Sequence, residues 1–438
     1  MADQLTRLRK NVMELLLSEQ PDGGVVPEAL RALARSVGLE QVRYRRPAAR
    51  ASVRDDSNPF FRFDNTICIS CARCVRACDE IQGTRALTMV GRGFFSRPMP
   101  GASRYGDPSV GFAESNCVSC GACVKECPTG ALAEKTLLQQ GVPTATVRTT
   151  CAYCGVGCAF DAGVRDDRVV TMQPADDGPS NQGHACMKGR FGWTYIYAED
   201  RLTTPLLREG TEWRKLSWPA ALDRIAQEFS RIKSAYGADA LACVSSSRGT
   251  NEENYLFGKF IRCVMGTNHI DNCARVCHSA TVTGMMETLG ASAATNSIED
   301  LDQAQLIMIV GANPTESHPV VGARIKAAVR RGVPLIVIDP RRIELARLAT
   351  LHLSLKPGTN VALLNAMGQV IASEGLLARR FIDSRTAGLD DWLKAVEPCT
   401  PEWAEPITGV PAGLIREAAR LYAGSSASLC VHGLGMTE

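Results

Sequence analysis

Cys68, Cys71, Cys74 and Cys78 stand in a Cys-x2-Cys-x2-Cys-x3-Cys run, and Cys117, Cys120, Cys123 and Cys127 repeat it, the second copy followed by Pro128. Three thiolates at this interval wrap three corners of a cubane, while the fourth points away and reaches a neighbouring one. The two copies therefore predict two 4Fe-4S clusters with crossed ligation, Cys68, Cys71, Cys74 and Cys127 on one, and Cys117, Cys120, Cys123 and Cys78 on the other. A pair of zinc sites would show isolated Cys-x2-Cys pairs instead. A segment held this way needs little regular structure, and the stretch "VGRGFFSRPMPGASRYGDP" between the runs reads as Gly- and Pro-containing loops.

A third group comes next. Cys151, Cys154 and Cys158 form Cys-x2-Cys-x3-Cys, and Cys186 closes the set in "GHACMKGR". Four thiolates without a paired second set suit a single cubane, and taken alone they suit zinc as well. Beside two clusters a third is the expected reading, because closely placed centres move electrons one at a time. Lys188, two residues past the last ligand, is either a solvated charge or an ammonium between this cluster and a cofactor that abuts it.

These groups use 12 of the 18 cysteines in a chain of 438 residues, of which 45% are hydrophobic and 22% charged. That is globular composition with room for two or three domains. Lys and Arg number 49 against 46 Asp and Glu, a formal +3, which points to no nucleic acid and no anionic membrane surface. The N-terminus spaces Leu5, Leu8, Val12, Leu15 and Leu16 as a helix does, with charges between them, unlike a secretory signal. No stretch reaches the roughly 18 apolar residues of a membrane span. The expectation is a cytoplasmic protein with no direct membrane span, where clustered cysteines mean metal rather than disulfides.

Four regions emerge. Residues 1–50 read as two short helices separated by "PDGGV" and ending in "YRRPAAR"; 51–145 hold the paired clusters; 146–205 hold the third. Over 206–438, "LACVSSS", "LIMIVGANP", "PLIVIDP" and "SLCVHGLG" are strand candidates, each followed by a helical or loop segment, which argues for an open, doubly wound α/β sheet. Ligands of such a sheet bind at the carboxyl ends of its strands. "GANPTESHP" from Gly311, "VIDPRR" with Asp339, and "LKPGTN" are turns placed to hold phosphate, ribose or a base, or are ordinary strand-to-helix turns. No GxGxxG or GxxxxGK[ST] pattern follows these strands, so a common nicotinamide or ATP site is not supported.

With the three cysteine groups, "SSSRGTNEENY" and "ARVCHSATV" in this order, the chain resembles the catalytic subunit of molybdenum- or tungsten-dependent formate dehydrogenases, members of the molybdopterin oxidoreductases. The resemblance runs from about Asp55 to Glu438. It implies a ferredoxin-like two-cluster domain, a cluster-binding small domain and doubly wound molybdopterin-binding domains, with residues 1–50 as a degenerate cluster-binding region. It implies three 4Fe-4S clusters and a molybdenum or tungsten bis(molybdopterin guanine dinucleotide). Cys277 becomes the metal's thiolate ligand, His278 the neighbouring acid/base, and Lys188 the relay between the third cluster and a pterin. Arg248, Gly311, Asn313, Asp339, Gly358, Thr359 and Gly435 fall where the family binds the dinucleotides. Formate and carbon dioxide are the implied substrates, and the implied partner is an electron-accepting subunit: an NAD-reducing diaphorase type, a ferredoxin or a hydrogenase.

The residue chemistry agrees, since a soft thiolate suits a high-valent metal and an imidazole exchanges protons near neutrality. His278 separates this reading from nitrate reductases, which resemble the chain elsewhere but typically carry Met after the metal-ligating Cys. The chain departs from the family at Ala280, where Pro is usual, and across Asn11 to Leu39, which lacks the His and three Cys of NAD-linked relatives. It also stops at "GLGMTE", before the part of relatives that holds the formate-orienting Arg and much of the second pterin site. The expectation drawn from that end is a C-terminally incomplete molybdopterin region. A non-catalytic electron-transfer scaffold of the same fold is the rival reading.

Overall fold

Strand Phe61–Asp64 ends in a residue that shapes the first cysteine turn. The Asp64 carboxylate accepts from the Thr66 N–H at 2.9 Å, capping the short turn Asn65–Ile67 that delivers Cys68. In the computed structural model, which describes residues 2–18, 28–44, 54–93, 96–101 and 110–438, this strand lies between Arg54–Asp55 and Leu132–Glu134 in an antiparallel sheet. The two cysteine turns then match residue for residue. Ser70 and Ala72 take φ of 53° and 60°, and Ser119 and Gly121 take 53° and 75°. Each second left-handed residue precedes a one-turn helix, Arg73–Arg76 or Ala122–Lys125. After the first, a wider π-helical turn, Ala77–Gln82, carries Cys78 away from its own run.

The segment expected to be loop contains a hairpin, Leu87–Val90 against Arg97–Pro100. "RPMP" makes a strand because a two-stranded ribbon leaves its prolines an outer edge that needs no N–H donor. At the N-terminus the expected helices are Ala2–Ser18 and Glu28–Ser36, packed through Met13, Leu30, Ala34 and Leu39. "PDGGV" and nearly all of "YRRPAAR" lie outside the described residues.

The third cysteine group threads an antiparallel meander, Ala145–Thr150, Ala159–Arg165 and Arg168–Pro174, with Cys151, Cys154 and Cys158 between its first two strands and Cys186 after its last. Asp166 and Asp167, with φ of 50° and 57°, form the two-residue turn between the last two strands.

Beyond residue 206 the main sheet is parallel, in the order Leu351–Leu353, Leu335–Ile338, Leu306–Val310, Ser428–His432. The runs "LIMIV" and "LIVI" are apolar on both faces, as a sheet covered on both sides requires. Leu306, Met308, Val310, Ile336 and Ile338 pack on helices Asn360–Ser373 and Ala412–Ala423. The alternate residues Ile307, Ile309, Leu335 and Val337 pack on helix Pro319–Arg330. "LACVSSS" departs from expectation: Cys243–Ser245 pairs with Ile270–Asn272 in a separate two-stranded parallel sheet. Its Val244 is 76% exposed, so it lacks the two buried faces of the other strands. Among the described residues no helix is long and apolar enough to cross a membrane.

Helix Pro319–Arg330 also ties the sheet to the paired-cysteine domain. The Arg330 guanidinium donates to the backbone carbonyls of Asp79 and, at 2.7 Å, Glu80.

Candidate cluster and cofactor site

Three cavities gather the twelve clustered cysteines in sets of four. Cys68, Cys71, Cys74 and Cys127 line one, Cys78, Cys117, Cys120 and Cys123 the second, and Cys151, Cys154, Cys158 and Cys186 the third. In the first two, each run contributes three thiols to one cavity and its last thiol to the other. Backbone N–H groups aim at the sulfurs: Ser70 at Cys68 (3.4 Å), Ala86 at Cys78 (3.1 Å), Ser119 at Cys117 (3.4 Å) and Leu132 at Cys127 (3.4 Å). Such donors stabilise negative charge on sulfur and tune a bound cluster.

The electrostatics show why these thiols need a cationic centre. Burial, followed by the charges of Cys127, Cys68 and Cys71, pushes the Cys74 thiol up to about 12. Burial and then Cys151, Cys186 and Cys154 push Cys158 up to about 12 as well. The buried thiols of Cys74 and Cys158 thus resist ionisation unless positive charge stands beside them, which iron supplies. Among the described residues no three His, Cys, Asp or Glu side chains close on a point as a single ion requires. The sulfurs surround spaces, which fits cubanes better than zinc.

Helix Met187–Phe191 joins the second and third cavities. Lys188 and Gly189 line the third; a Cβ on Gly189 would stand 3.2 Å from the Cys151 sulfur. The next residue, Arg190, is 1% exposed and points to the second. A Cβ on Gly121, which lines that cavity, would lie 2.4 Å from Arg190 Cδ and 2.5 Å from its Nε. Arg190 Nη2 donates to Glu134 Oε1 at 2.6 Å and to Gln173 Oε1 at 3.0 Å. Glu134, also 1% exposed at its side chain, accepts further from Thr171 Oγ1 at 2.7 Å and Gln173 Nε2 at 2.9 Å. Burial pushes the Cys120 thiol up to about 12, with the Arg190 charge acting in the opposite sense. His184 Nε2 lies 2.9 Å from Gln82 Oε1 at the same junction; burial, then Arg190, pushes its pKa down to about 4, so the ring is neutral.

The expected dinucleotide turns collect at the carboxyl ends of the parallel strands, around the point where strand order reverses between Leu306–Val310 and Ser428–His432. Gly311 follows the first of these strands with φ +57°, and a Cβ there would meet the Gly435 carbonyl carbon at 2.6 Å. Gly311→Ala is therefore expected to cost about 1–3 kcal/mol, measured as a lower thermal unfolding midpoint by circular dichroism; an unchanged midpoint would contradict the close approach. Asn313 Oδ1 accepts from Thr315 Oγ1 at 2.7 Å, and Asp339, 3% exposed, accepts from the Arg341 N–H at 2.8 Å. Gly358, φ +81°, and Thr359 lead into the helix of Asn360. Asn360 Nδ2 donates to Gly435 O at 2.7 Å, while its Oδ1 is buried without a partner, an acceptor that a bound group's donor would satisfy.

Two contacts connect this crevice to the remaining candidates. Thr437 Oγ1 donates to the Cys277 carbonyl at 3.4 Å, bringing the last turn against Cys277. Arg248 Nη1 donates at 3.2 Å to the carbonyl of Tyr153, inside the third cysteine group. Ser317 and Pro319 of the "GANPTESHP" turn line the same cavity as Lys188. His278 has φ of −158° and breaks the chain between helices Ala274–Cys277 and Ser279–Leu289, which presents it and Cys277 at a corner. The structure thus runs the third cavity, the Gly311 turn, the terminal turn and Cys277 together; the first two cavities lie beyond Arg190.

Sequence reasoning passed over Arg190 and Glu134, and took Thr437 only as part of the terminal "GLGMT" turn. The signal for Arg190 was a charge inside "MKGRFGW", among Gly and aromatic residues; Glu134 carried none.

Three family descriptions match the chain in succession: 4Fe-4S dicluster domain over residues 67–131, molybdopterin oxidoreductase Fe4S4 domain over 144–198, and molybdopterin oxidoreductase over 201–426. Similar proteins include the probable oxidoreductase YjgC of Bacillus subtilis (strain 168), 35% identical over 88% of this chain and 43% of the relative. Formate dehydrogenase H of Escherichia coli (strain K12) is 44% identical over 67% of this chain and 42% of the relative. Among solved structures, acetylene hydratase from Pelobacter acetylenicus aligns with a TM-score of 0.56 and 26% identity, over 66% of this chain and 40% of that one. The chain spans about two fifths of the length of these proteins. With the last family description covering more than half of its residues, the chain belongs to the molybdopterin oxidoreductases.

Proposed function

We propose that the protein oxidises formate to carbon dioxide, or runs the reverse, at a molybdenum or tungsten bis(pterin guanine dinucleotide), with electrons passing to a partner subunit. The observation that carries this reading is the adjacent thiol and imidazole of Cys277 and His278, held at a corner against the terminal turn that packs on Gly311. The similarity to formate dehydrogenase H supports it.

Formate gives up carbon dioxide, one proton and two electrons, so the site needs an electron sink, a base and a wire. The bound metal and the three clusters would supply the sink and the wire. The residues do the rest. Cys277 offers a soft thiolate to the metal. His278, fixed by its neighbours' helices, takes the proton. Lys188 sets a positive charge at the wall shared by the third cavity and the Ser317 turn, where it would hold a pterin next to the cluster. Arg248, bonded to Tyr153, Gly311, Asn313, Asp339, Gly358, Thr359 and Gly435 form the cradle for the dinucleotides, and the twelve clustered cysteines hold iron. On this reading the chain divides near residues 50, 145 and 205.

Anaerobically purified holoenzyme tests the proposal. Elemental analysis is expected to give about twelve irons per chain, three cubanes of four, with molybdenum or tungsten in stoichiometric amount, and formate is expected to reduce a viologen dye. Full iron with neither heavy metal would replace this reading with an electron-transfer scaffold. Activity on nitrate with reduced viologen, and none on formate, would move it to nitrate reduction.

A further inference from the structure

Neighbouring residues of one helix serve two cavities. Lys188 and Gly189 line the cavity of Cys151, Cys154, Cys158 and Cys186, while Arg190 lies against Gly121 of the cavity of Cys78, Cys117, Cys120 and Cys123. The Arg190 N–H bonds back to the Cys186 carbonyl at 3.1 Å, so the guanidinium is carried one turn from a ligand of one set to the turn that holds two ligands of the other. It is a cation shielded from bulk solvent: the side chain is 1% exposed, and its Nε and Nη1 are buried with no protein partner. One of its nitrogens, Nη2, makes both of its bonds, to Glu134 and Gln173. Among the described residues no cation as deeply buried as Arg190 stands at the first cysteine turn; Arg97, next to Pro98 of that cavity, has a buried Nε but is only half-buried as a residue. The turn's own cations, Arg73 and Arg76, have side chains 55% and 71% exposed and are paired with Glu126 and Glu80. Solvated charges are strongly screened, whereas a buried charge is screened much less and acts more strongly on what lies beside it.

We infer that Arg190 is a positioning residue for electron transfer: its buried charge raises the reduction potential of the cluster held by Cys78, Cys117, Cys120 and Cys123 above that of its twin, and so makes that cluster the acceptor for electrons leaving the third. The inference rests on reading those four cysteines as cluster ligands. Reduction adds one electron to the cluster, and a fixed cation behind its ligand turn favours that more negative state. Glu134 opposes it, so the ion pair sets the potential by difference. The two turns share backbone geometry, so Arg190 supplies an asymmetry between the clusters that the backbone does not.

The test is a redox titration of holoenzyme followed by electron paramagnetic resonance, with Cys120→Ser used to assign the signal of the cluster concerned. Glu134→Gln leaves the cation uncompensated and is expected to shift that midpoint upward. Adding Arg190→Gln to Glu134→Gln, which leaves no lone buried charge, is expected to bring it back down, below the Glu134→Gln value. Arg190→Lys keeps the charge and is expected to keep the midpoint near that of the unaltered protein. The other two midpoints move less in every case. An assigned midpoint that stays fixed in Glu134→Gln and in the double variant, or three midpoints that shift together, would overturn the inference. Absence of any signal altered by Cys120→Ser would instead overturn the ligand reading beneath it. A purely structural role for the pair predicts broadened signals and lost iron, with no opposite-signed shifts.

Discussion

Cys277→Ala is expected to reduce formate oxidation by about 10³-fold or more, the scale of losing a group that acts in the chemical step, while iron stays at about twelve per chain. The two halves of this expectation have separate grounds. Cys277 lines none of the three cysteine cavities, so the clusters do not depend on it. Its tertiary hydrogen bond from Thr437 goes to the backbone carbonyl and survives truncation of the side chain. The helix Ala274–Cys277 loses nothing by gaining an alanine. What the substitution removes is the soft donor at the crevice. Serine, a harder oxygen donor, is expected to recover little of the loss. Turnover within tenfold of the unaltered enzyme would show that Cys277 is not the metal's ligand.

His278→Ala is expected to lower kcat by about 10²–10⁴-fold, the usual contribution of a positioned general base, and to change KM much less. On the proposed reading the imidazole is the proton acceptor when formate's carbon gives up its electrons, so its loss would fall on the chemical step rather than on binding. The backbone on either side is secured independently of the side chain: the His278 N–H donates to Ala274 O at 3.1 Å, and its carbonyl accepts from the Val282 N–H at 2.9 Å. Iron and heavy-metal content should therefore be retained. Steady-state kinetics across pH supply the decisive reading, because loss of a base removes the limb of the kcat profile that the base imposes. A drop in kcat/KM carried entirely by KM would assign His278 to binding instead.

Local patterns were the legible part of this fold. Cysteine spacing is a contact rule written along the chain, so the three cysteine sets that line the cavities were visible in the sequence, and so was the exchange of the fourth thiols between the first two. "LIMIV" and "LIVI" announced buried parallel strands because both their faces are covered. "RPMP" and "LHL" did not read as strands, the first for its prolines and the second for its length. "RDDR" hid a hairpin turn, because nothing in its composition demands two left-handed residues in succession. The candidate site shows the same division. Cys277, His278 and the glycine turns stand out by motif. The contacts that assemble them, Thr437 to Cys277 across 160 positions, Arg248 to Tyr153 across 95, and Arg190 to Glu134 across 56, depend on how the domains pack.

The matched cysteine turns have a consequence for how such chains vary. They look like one unit written twice, Cys-x-Ser-Cys-Ala in the first copy and Cys-x-Ser-Cys-Gly in the second, and the left-handed conformation itself tolerates alanine, as Ala72 shows. Glycine at 121 is thus required by the Arg190 side chain, whose Cδ lies 2.4 Å and Nε 2.5 Å from where a methyl would be. The two positions are therefore expected to vary together. Across relatives, a side chain at the position of Gly121 should occur only where Arg190 has given way to something smaller, and a lineage that changes one without the other should show the strain as a labile cluster.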